Sequence, residues 1–138
     1  MSKIFVVEDE KTIRDELSIF LSRYGYEVEA PEDFENIIEN IKGSNCDLIL
    51  LDINLPVFDG YYICREVRKF SDVPIIVVTS KDSDIDELMS MNLGADDFVT
   101  KPYNTQILLA RIEAILKRVN KSLMAQDILE YNEMKVNY

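Results

Sequence analysis

Three runs in this chain, KIFVVE (3–8), CDLILL (46–51) and VPIIVVT (73–79), are apolar along almost their whole length. A strand with one wet face alternates polar and apolar residues, whereas an unbroken apolar strand must be covered on both sides. The segments between these runs have helical period: Ile13, Leu17, Phe20, Leu21 and Tyr24 before Gly25, then Phe34, Ile37, Ile38 and Ile41 ending near Gly43. Asp59 and Gly60 open a third helical segment carrying Ile63, Val67 and Phe70. Ile85, Leu88 and Met89 mark a weaker fourth, and Leu108, Ile112, Ile115 and Val119 a clear fifth. Two shorter strands, YEVEA (26–30) and DDFVT (96–100), complete a βα alternation, and Pro74 fits only at the start of its strand. The pattern predicts an α/β domain with a parallel sheet and helices on both faces.

At 138 residues and 47% hydrophobic content, the chain suits one compact domain with a short tail. Its formal net charge of −11 argues against this segment holding a nucleic-acid backbone by itself. Two cysteines without CxxC spacing and no histidine leave zinc and disulfide frameworks unsupported. No apolar run reaches the roughly 18 residues of a membrane span, and residues 1–3 lead directly into a strand; the expected location is cytoplasmic, with no membrane contact.

Parallel sheets bind ligands at the carboxyl ends of their strands. The polar residues fall at those ends: Glu8 and Asp9 after the first strand, Asp52 after the third, Thr79 closing the fourth and Lys101 after the fifth. Three carboxylates in one crevice repel by roughly 4 kcal/mol per pair at about 4 Å and an effective dielectric near 20. A divalent cation would offset that, and an oxygen-only donor set reads as Mg²⁺ or Mn²⁺. Such a metal can hold a phosphoryl group, which makes Asp52 a candidate nucleophile forming an aspartyl phosphate. Lys101 would place a positive charge, and Thr79 a hydroxyl, on the phosphoryl oxygens. Each residue alone has a blander role: Asp52 in a turn with Asn54 and Pro56, Glu8, Asp9 and Glu10 as an acidic helix start, Thr79 and Ser80 as caps, Lys101 on the surface. Their coincidence at successive strand ends favours the joint reading.

The same residues closely resemble the receiver domains of bacterial two-component response regulators, over residues 3 to about 119. The motifs are VVEDE with Glu8 and Asp9, DLILLDINLPVFDG with Asp52, IIVVTS with Thr79, and LGADDFVTKPY with Lys101 and Pro102. The resemblance implies a single (βα)5 flavodoxin-like, CheY-like domain with strand order 2-1-3-4-5. It implies Asp52 as phosphoacceptor, Asp9 as a direct Mg²⁺ ligand, Glu8 as a ligand through water, and the backbone carbonyl of Asn54 as a further ligand. Thr79 and Phe98 correspond to the switch pair, with phenylalanine where tyrosine is commoner, and the Lys101-Pro102 bond corresponds to a cis one. The phosphoryl donor would be a histidine on a sensor kinase, or a small phosphodonor, and the receiver itself would catalyse transfer and later hydrolysis.

The stretch from LGADDFVTKPY to LLARIEAILKR most resembles the winged-helix (OmpR/PhoB) class, whose receivers dimerise through the fourth helix, fifth strand and fifth helix. Asp97 with Arg111 and Asp96 with Arg118 correspond to intersubunit salt bridges of that face. A third pair is lost, because its lysine aligns with Glu87 and its acid with Ile107; a more hydrophobic contact at Ile107 is expected instead. The tail, including DILEYNEMKVNY (127–138), resembles the beginning of an effector domain. Residues 1–120 are therefore expected to form the receiver and 121–138 a linker and the start of a truncated DNA-binding domain, through which DNA would be contacted and transcription controlled. Two rivals differ in chemistry. A haloacid-dehalogenase-type phosphohydrolase wants a second aspartate two residues after the nucleophile, where this chain has Asn54. A phosphorylation-independent interaction module would ignore phosphodonors.

Overall fold

The computed structural model describes residues 2–55, 59–81 and 83–119. Five strands, β1 (Lys3–Val7), β2 (Glu27–Glu29), β3 (Leu48–Leu51), β4 (Ile75–Thr79) and β5 (Asp97–Thr100), form one sheet in the order β2-β1-β3-β4-β5. Every pairing is parallel. The helices are α1 (Lys11–Arg23), α2 (Ile37–Ser44), α3 (Gly60–Arg68), α4 (Asp84–Asn92) and α5 (105–119). The doubly wound five-strand architecture expected from the sequence is the one observed.

Period-two alternation divides the apolar strands between two cores. Ile4, Val6, Leu48, Leu50, Ile76 and Val78 point to one side, where they meet Leu17 and Leu21 of α1 and Leu108, Ile112 and Ile115 of α5. Phe5, Val7, Ile49, Leu51, Ile75 and Val77 point to the other, against Ile37 and Ile41 of α2 and Ile63 and Val67 of α3. β1, β3 and β4 are buried almost end to end, and each such aliphatic side chain contributes roughly 1.5–3 kcal/mol on burial. These central strands are the rigid base for whatever stands at their carboxyl ends.

Element boundaries shift where side chains compete for backbone groups. α2 begins at Ile37 and not near Phe34, because the Asp33 carboxylate accepts the Glu35 amide (2.8 Å) and holds a turn there. It ends at Ser44, one residue past Gly43, and is capped by Asn45 in the left-handed region (φ 51°), a conformation asparagine tolerates. β5 starts at Asp97, since the Asp96 carboxylate instead accepts the Ile75 amide (2.9 Å) and pairs with Arg68. Pro74 lies just before β4 and offers its carbonyl to Ile49.

α4 is the exception to the packing scheme. Ile85, Leu88 and Met89, whose spacing marks the helix, are 69%, 61% and 44% exposed, and its one buried residue is Ser90. The expected tail and the turn at Pro56 lie outside the described residues.

Candidate functional site

The strand register brings the polar ends together. Val7 and Leu51 are paired partners, so Glu8 and Asp52 leave the sheet side by side, with the Asp52 amide on the Val7 carbonyl (3.0 Å). Thr79 pairs with Thr100, and the Lys101 amide donates to the Thr79 carbonyl (2.8 Å), which fixes Lys101 beside the end of β4. The Lys101-Pro102 bond is cis.

Glu8, Asp9 and Asp52 each offer an oxygen within 4.8 Å of the others. Glu8 and Asp52 are 3% and 5% exposed, whereas Asp9 faces solvent. The Lys101 ammonium bridges the two buried acids, donating to Glu8 Oε1 and to Asp52 Oδ2 at 3.0 Å. The remaining oxygens are also engaged: Glu8 Oε2 accepts the Glu10 amide (3.1 Å), and Asp52 Oδ1 accepts the Asn54 amide (2.8 Å). Repulsion between the acids is thus met in part by a resident lysine, a role the sequence reading gave to a metal alone.

These contacts set the protonation preferences. Burial pushes the Glu8 carboxyl above the usual glutamate range, against the opposing pull of Lys101 and the Glu10 amide. Burial would lower the Lys101 ammonium, but its hydrogen bonds to Glu8 and Asp52 outweigh that and raise it. An all-oxygen set of three carboxylates, one open to water, suits a hard divalent cation that keeps several waters.

The Thr79 hydroxyl is fully buried and accepts the Lys81 amide (3.2 Å). Phe98 is half-buried against the core on the α3 side. Asn54 is exposed and bridges to Asp59 across the loop. Asp59 caps α3 through the Tyr61 amide (3.0 Å), and Gly60 follows it because no side chain fits. A Cβ at Gly60 would stand 2.3 Å from Ile53 Cα and 2.7 Å from the Asp52 carbonyl oxygen.

On the face of β5 and α5, Arg111 Nη1 contacts both Asp97 oxygens at 2.9 Å within the same chain. Asp96 is engaged by Arg68 of α3, while Ile107 is 55% exposed and Arg118 is exposed. Three polar features carried no signal that the sequence reading used. Arg14 is buried on α1, with Nη1 3.2 Å from the Glu8 carbonyl; its only sequence mark is its place on the stripe with Leu17 and Leu21. Arg68 reaches the carbonyls of Gly94, Ser71 and Val73. The Tyr61 hydroxyl donates to Asp86 Oδ1 of α4 (2.6 Å).

A doubly wound parallel sheet carrying buried acids and a lysine at its carboxyl edge defines a class of α/β domains with a ligand site at the strand ends, and the family follows from comparison. Residues 4–113 match the response regulator receiver domain. The chain is 43% identical over 130 residues to the sensory transduction protein BceR of Halalkalibacterium halodurans, covering 94% of this chain and 56% of that protein. It is 41% identical over 117 residues to the response regulator protein GraR of Staphylococcus epidermidis, covering 85% and 52%. The N-terminal domain of the nisin resistance regulator NsrR, described as a lantibiotic response regulator, superposes with a TM-score of 0.78 at 40% identity, covering 84% of this chain and 98% of that one. The chain belongs to the response regulator receiver domain family and is the receiver domain of a two-component response regulator. It spans about half the length of the curated relatives it matches. Among the described residues no helix is long and apolar enough to cross a membrane.

Proposed function

We propose that Asp52 is the phosphoacceptor of this receiver and that Glu8, Asp9, Asp52 and the Asn54 carbonyl hold Mg²⁺ or Mn²⁺. The observation that carries this reading is the acid cluster itself: two buried carboxylates, one solvent-facing carboxylate and a lysine on a single sheet edge. Both Glu8 oxygens already have partners in the protein, and Asp9 is open to solvent, which supports direct ligation by Asp9 and water-mediated ligation by Glu8. When bound there, the ion would supply positive charge against the carboxylates and the incoming phosphoryl group.

In the transfer, an Asp52 oxygen attacks phosphorus while the bond from phosphorus to the donor breaks; with a phosphohistidine on a sensor kinase, the imidazole nitrogen leaves with the electron pair. Lys101 then shifts its ammonium from the carboxylates to a phosphoryl oxygen, and Thr79 turns its hydroxyl from the Lys81 amide toward the same group. Phe98 repacks in step as the second switch residue. The receiver catalyses this transfer and later hydrolysis of its own aspartyl phosphate.

The output surface in this reading is the α4, β5 and α5 face, a homodimer contact once phosphorylated. Exposed Ile85, Leu88, Met89 and Ile107 supply apolar area there. Asp97 and Arg111 pair within the chain, so an intersubunit bridge is formed by exchanging that partner; Asp96 would reach Arg118 of the second copy from its place beside Arg68. In the same reading residues 1–120 are the receiver and 121–138 lead into a winged-helix DNA-binding domain of the OmpR/PhoB class, which controls transcription in the cytoplasm.

Intact mass after incubation with acetyl phosphate tests this. One added phosphoryl group that requires Mg²⁺ and is lost in Asp52→Ala supports it, with a concurrent dimer by light scattering. A folded wild type that gains no phosphate overturns it in favour of a phosphorylation-independent module.

A further inference from the structure

Arg14 is a permanently charged side chain with only 5% exposure, on the buried stripe of α1 beside Leu17 and Leu21. A guanidinium cannot shed its proton to relieve burial, so it must be satisfied by partners. Among the described residues its nearest carboxylate is Glu32 Oε1 at 3.8 Å, on a side chain that is 78% exposed, too loose to account for the burial. Its close partners are main-chain oxygens: Nη1 lies 3.2 Å from the Glu8 carbonyl and 3.5 Å from the Asp9 carbonyl.

Those two peptide units carry the acids at the exit of β1. Ordinarily the turn into a helix is held by a side-chain N-cap. Here the N-cap position is Glu10, which makes no such bond. Arg14, one turn further along α1, reaches back to the carbonyls of the same turn.

We propose that Arg14 is a positioning residue for divalent-cation binding: it fixes the Glu8 and Asp9 peptide planes so that both carboxylates face Asp52. This rests on reading Glu8, Asp9 and Asp52 as a metal site. Rotation of either plane swings the attached side chain, and Mg²⁺ demands near-ideal octahedral geometry. Outer groups that orient ligands typically change metal affinity 10- to 100-fold when removed. The charge of Arg14 acts in the opposite direction, since a guanidinium behind the site repels a cation. Loss of positioning therefore weakens metal binding, and loss of charge alone strengthens it.

The test is a titration of the full chain with Mn²⁺, followed by electron paramagnetic resonance of the free ion, for wild type, Arg14→Met and Arg14→Lys. It is run at a temperature where circular dichroism shows each protein folded. Arg14→Met is expected to bind Mn²⁺ about 10-fold more weakly or worse. Arg14→Lys keeps the charge but loses the planar guanidinium that spans two carbonyls, and is expected to weaken binding several-fold. A purely structural role would lower the melting temperature and leave the affinity of the folded molecules unchanged. Affinities equal to or tighter than wild type in the folded variants overturn the proposal; if Arg14→Met does not fold, Arg14→Lys alone decides by the same criterion. A wild type that binds no Mn²⁺ overturns the metal-site reading and this proposal with it, an outcome distinct from normal wild-type binding with unaffected variants.

Discussion

Replacing Lys101 with methionine keeps the aliphatic stem and removes the ammonium that Glu8 and Asp52 share. Its side chain is 13% exposed and those of the acids 4% and 6%, so the pairs are little screened by water. At 3.0 Å the contact to Asp52 has a gross Coulomb energy of about 5 kcal/mol at an effective dielectric near 20. Desolvation cancels much of that while the pair is intact. Removing one partner leaves two buried carboxylates facing each other, a change that typically costs about 3–5 kcal/mol. The site lies at a sheet edge that water can reach, which favours the lower value: about 3 kcal/mol, or roughly 12 °C in melting temperature for a domain of this size.

The loss should depend on pH. Burial already raises the folded Glu8 above its ordinary value of 4.5, and Lys101 opposes that rise. Without the lysine the folded value climbs further. Between the unfolded and folded values the native state then holds a proton that the unfolded state has released, so stability grows as pH falls through that window. Urea unfolding of wild type and variant without divalent cations, at pH 7 and pH 5, measures this; differences between the two proteins cancel the carboxylates that Lys101 does not touch. The variant should lose about 3 kcal/mol at pH 7 and clearly less at pH 5, and added Mg²⁺ should stabilise it more than it does wild type. A variant as stable as wild type at pH 7 would refute the claim that Lys101 offsets repulsion within the acid cluster.

Gly60→Ala should cost about 3 kcal/mol by urea unfolding, because its Cβ meets the backbone of Ile53 and Asp52 and not a yielding side chain; a change within about 0.5 kcal/mol would show that the loop moves freely. Tyr61→Phe should cost about 1 kcal/mol and speed amide exchange across Asp84–Asn92 while the central strands stay protected. Burial and the Asp86 carboxylate push the Tyr61 phenol up to about 12, so in an absorbance titration Asp86→Asn should let it ionise at lower pH. Ile107→Glu should weaken the phosphorylated dimer by light scattering without changing Asp52 phosphorylation; unchanged dimer affinity would remove Ile107 from the interface.

The fold was legible because its signals are local. β1, β3 and β4 announce burial on both faces through unbroken aliphatic runs, and Asp52, Thr79 and Lys101 stand out as polar residues where those runs stop. Element ends were less legible because they depend on which oxygen captures a given amide: Asp33 delays α2, and Asp96 is held back from β5 by the Ile75 amide. Contacts between distant residues left no periodic trace. Lys101 lies 93 residues from Glu8, and Tyr61 lies 25 from Asp86, so only the folded register joins them. Arg14 was hidden for another reason. A charge on an apolar stripe reads as the polar edge of a helix until the carbonyls it serves are brought above it.

The spread of packing across the helices bears on how a change at Asp52 could reach a surface. α1, α2, α3 and α5 are anchored by fully buried aliphatic side chains, and moving any of them would expose residues that contribute roughly 1.5–3 kcal/mol each. α4 buries only Ser90 and turns its aliphatic residues outward. Its polar attachments include Tyr61 on Asp86 and the Ser83 cap at one end, and Cys64 Sγ on the Leu93 carbonyl at the other, contacts that contribute about 1 kcal/mol each or less. α4 is therefore the element whose displacement costs least. It is also the element that β4 leads into: Thr79 closes the strand, its hydroxyl holds the Lys81 amide, and Ser83 caps the helix four residues after Thr79. The proposed rearrangement, drawing the Thr79 hydroxyl toward Asp52, would release the Lys81 amide and pull on this short connection. The sheet and its well-buried helices would resist, so in the proposed switch the movement would fall on α4 and on the apolar side chains it presents to solvent.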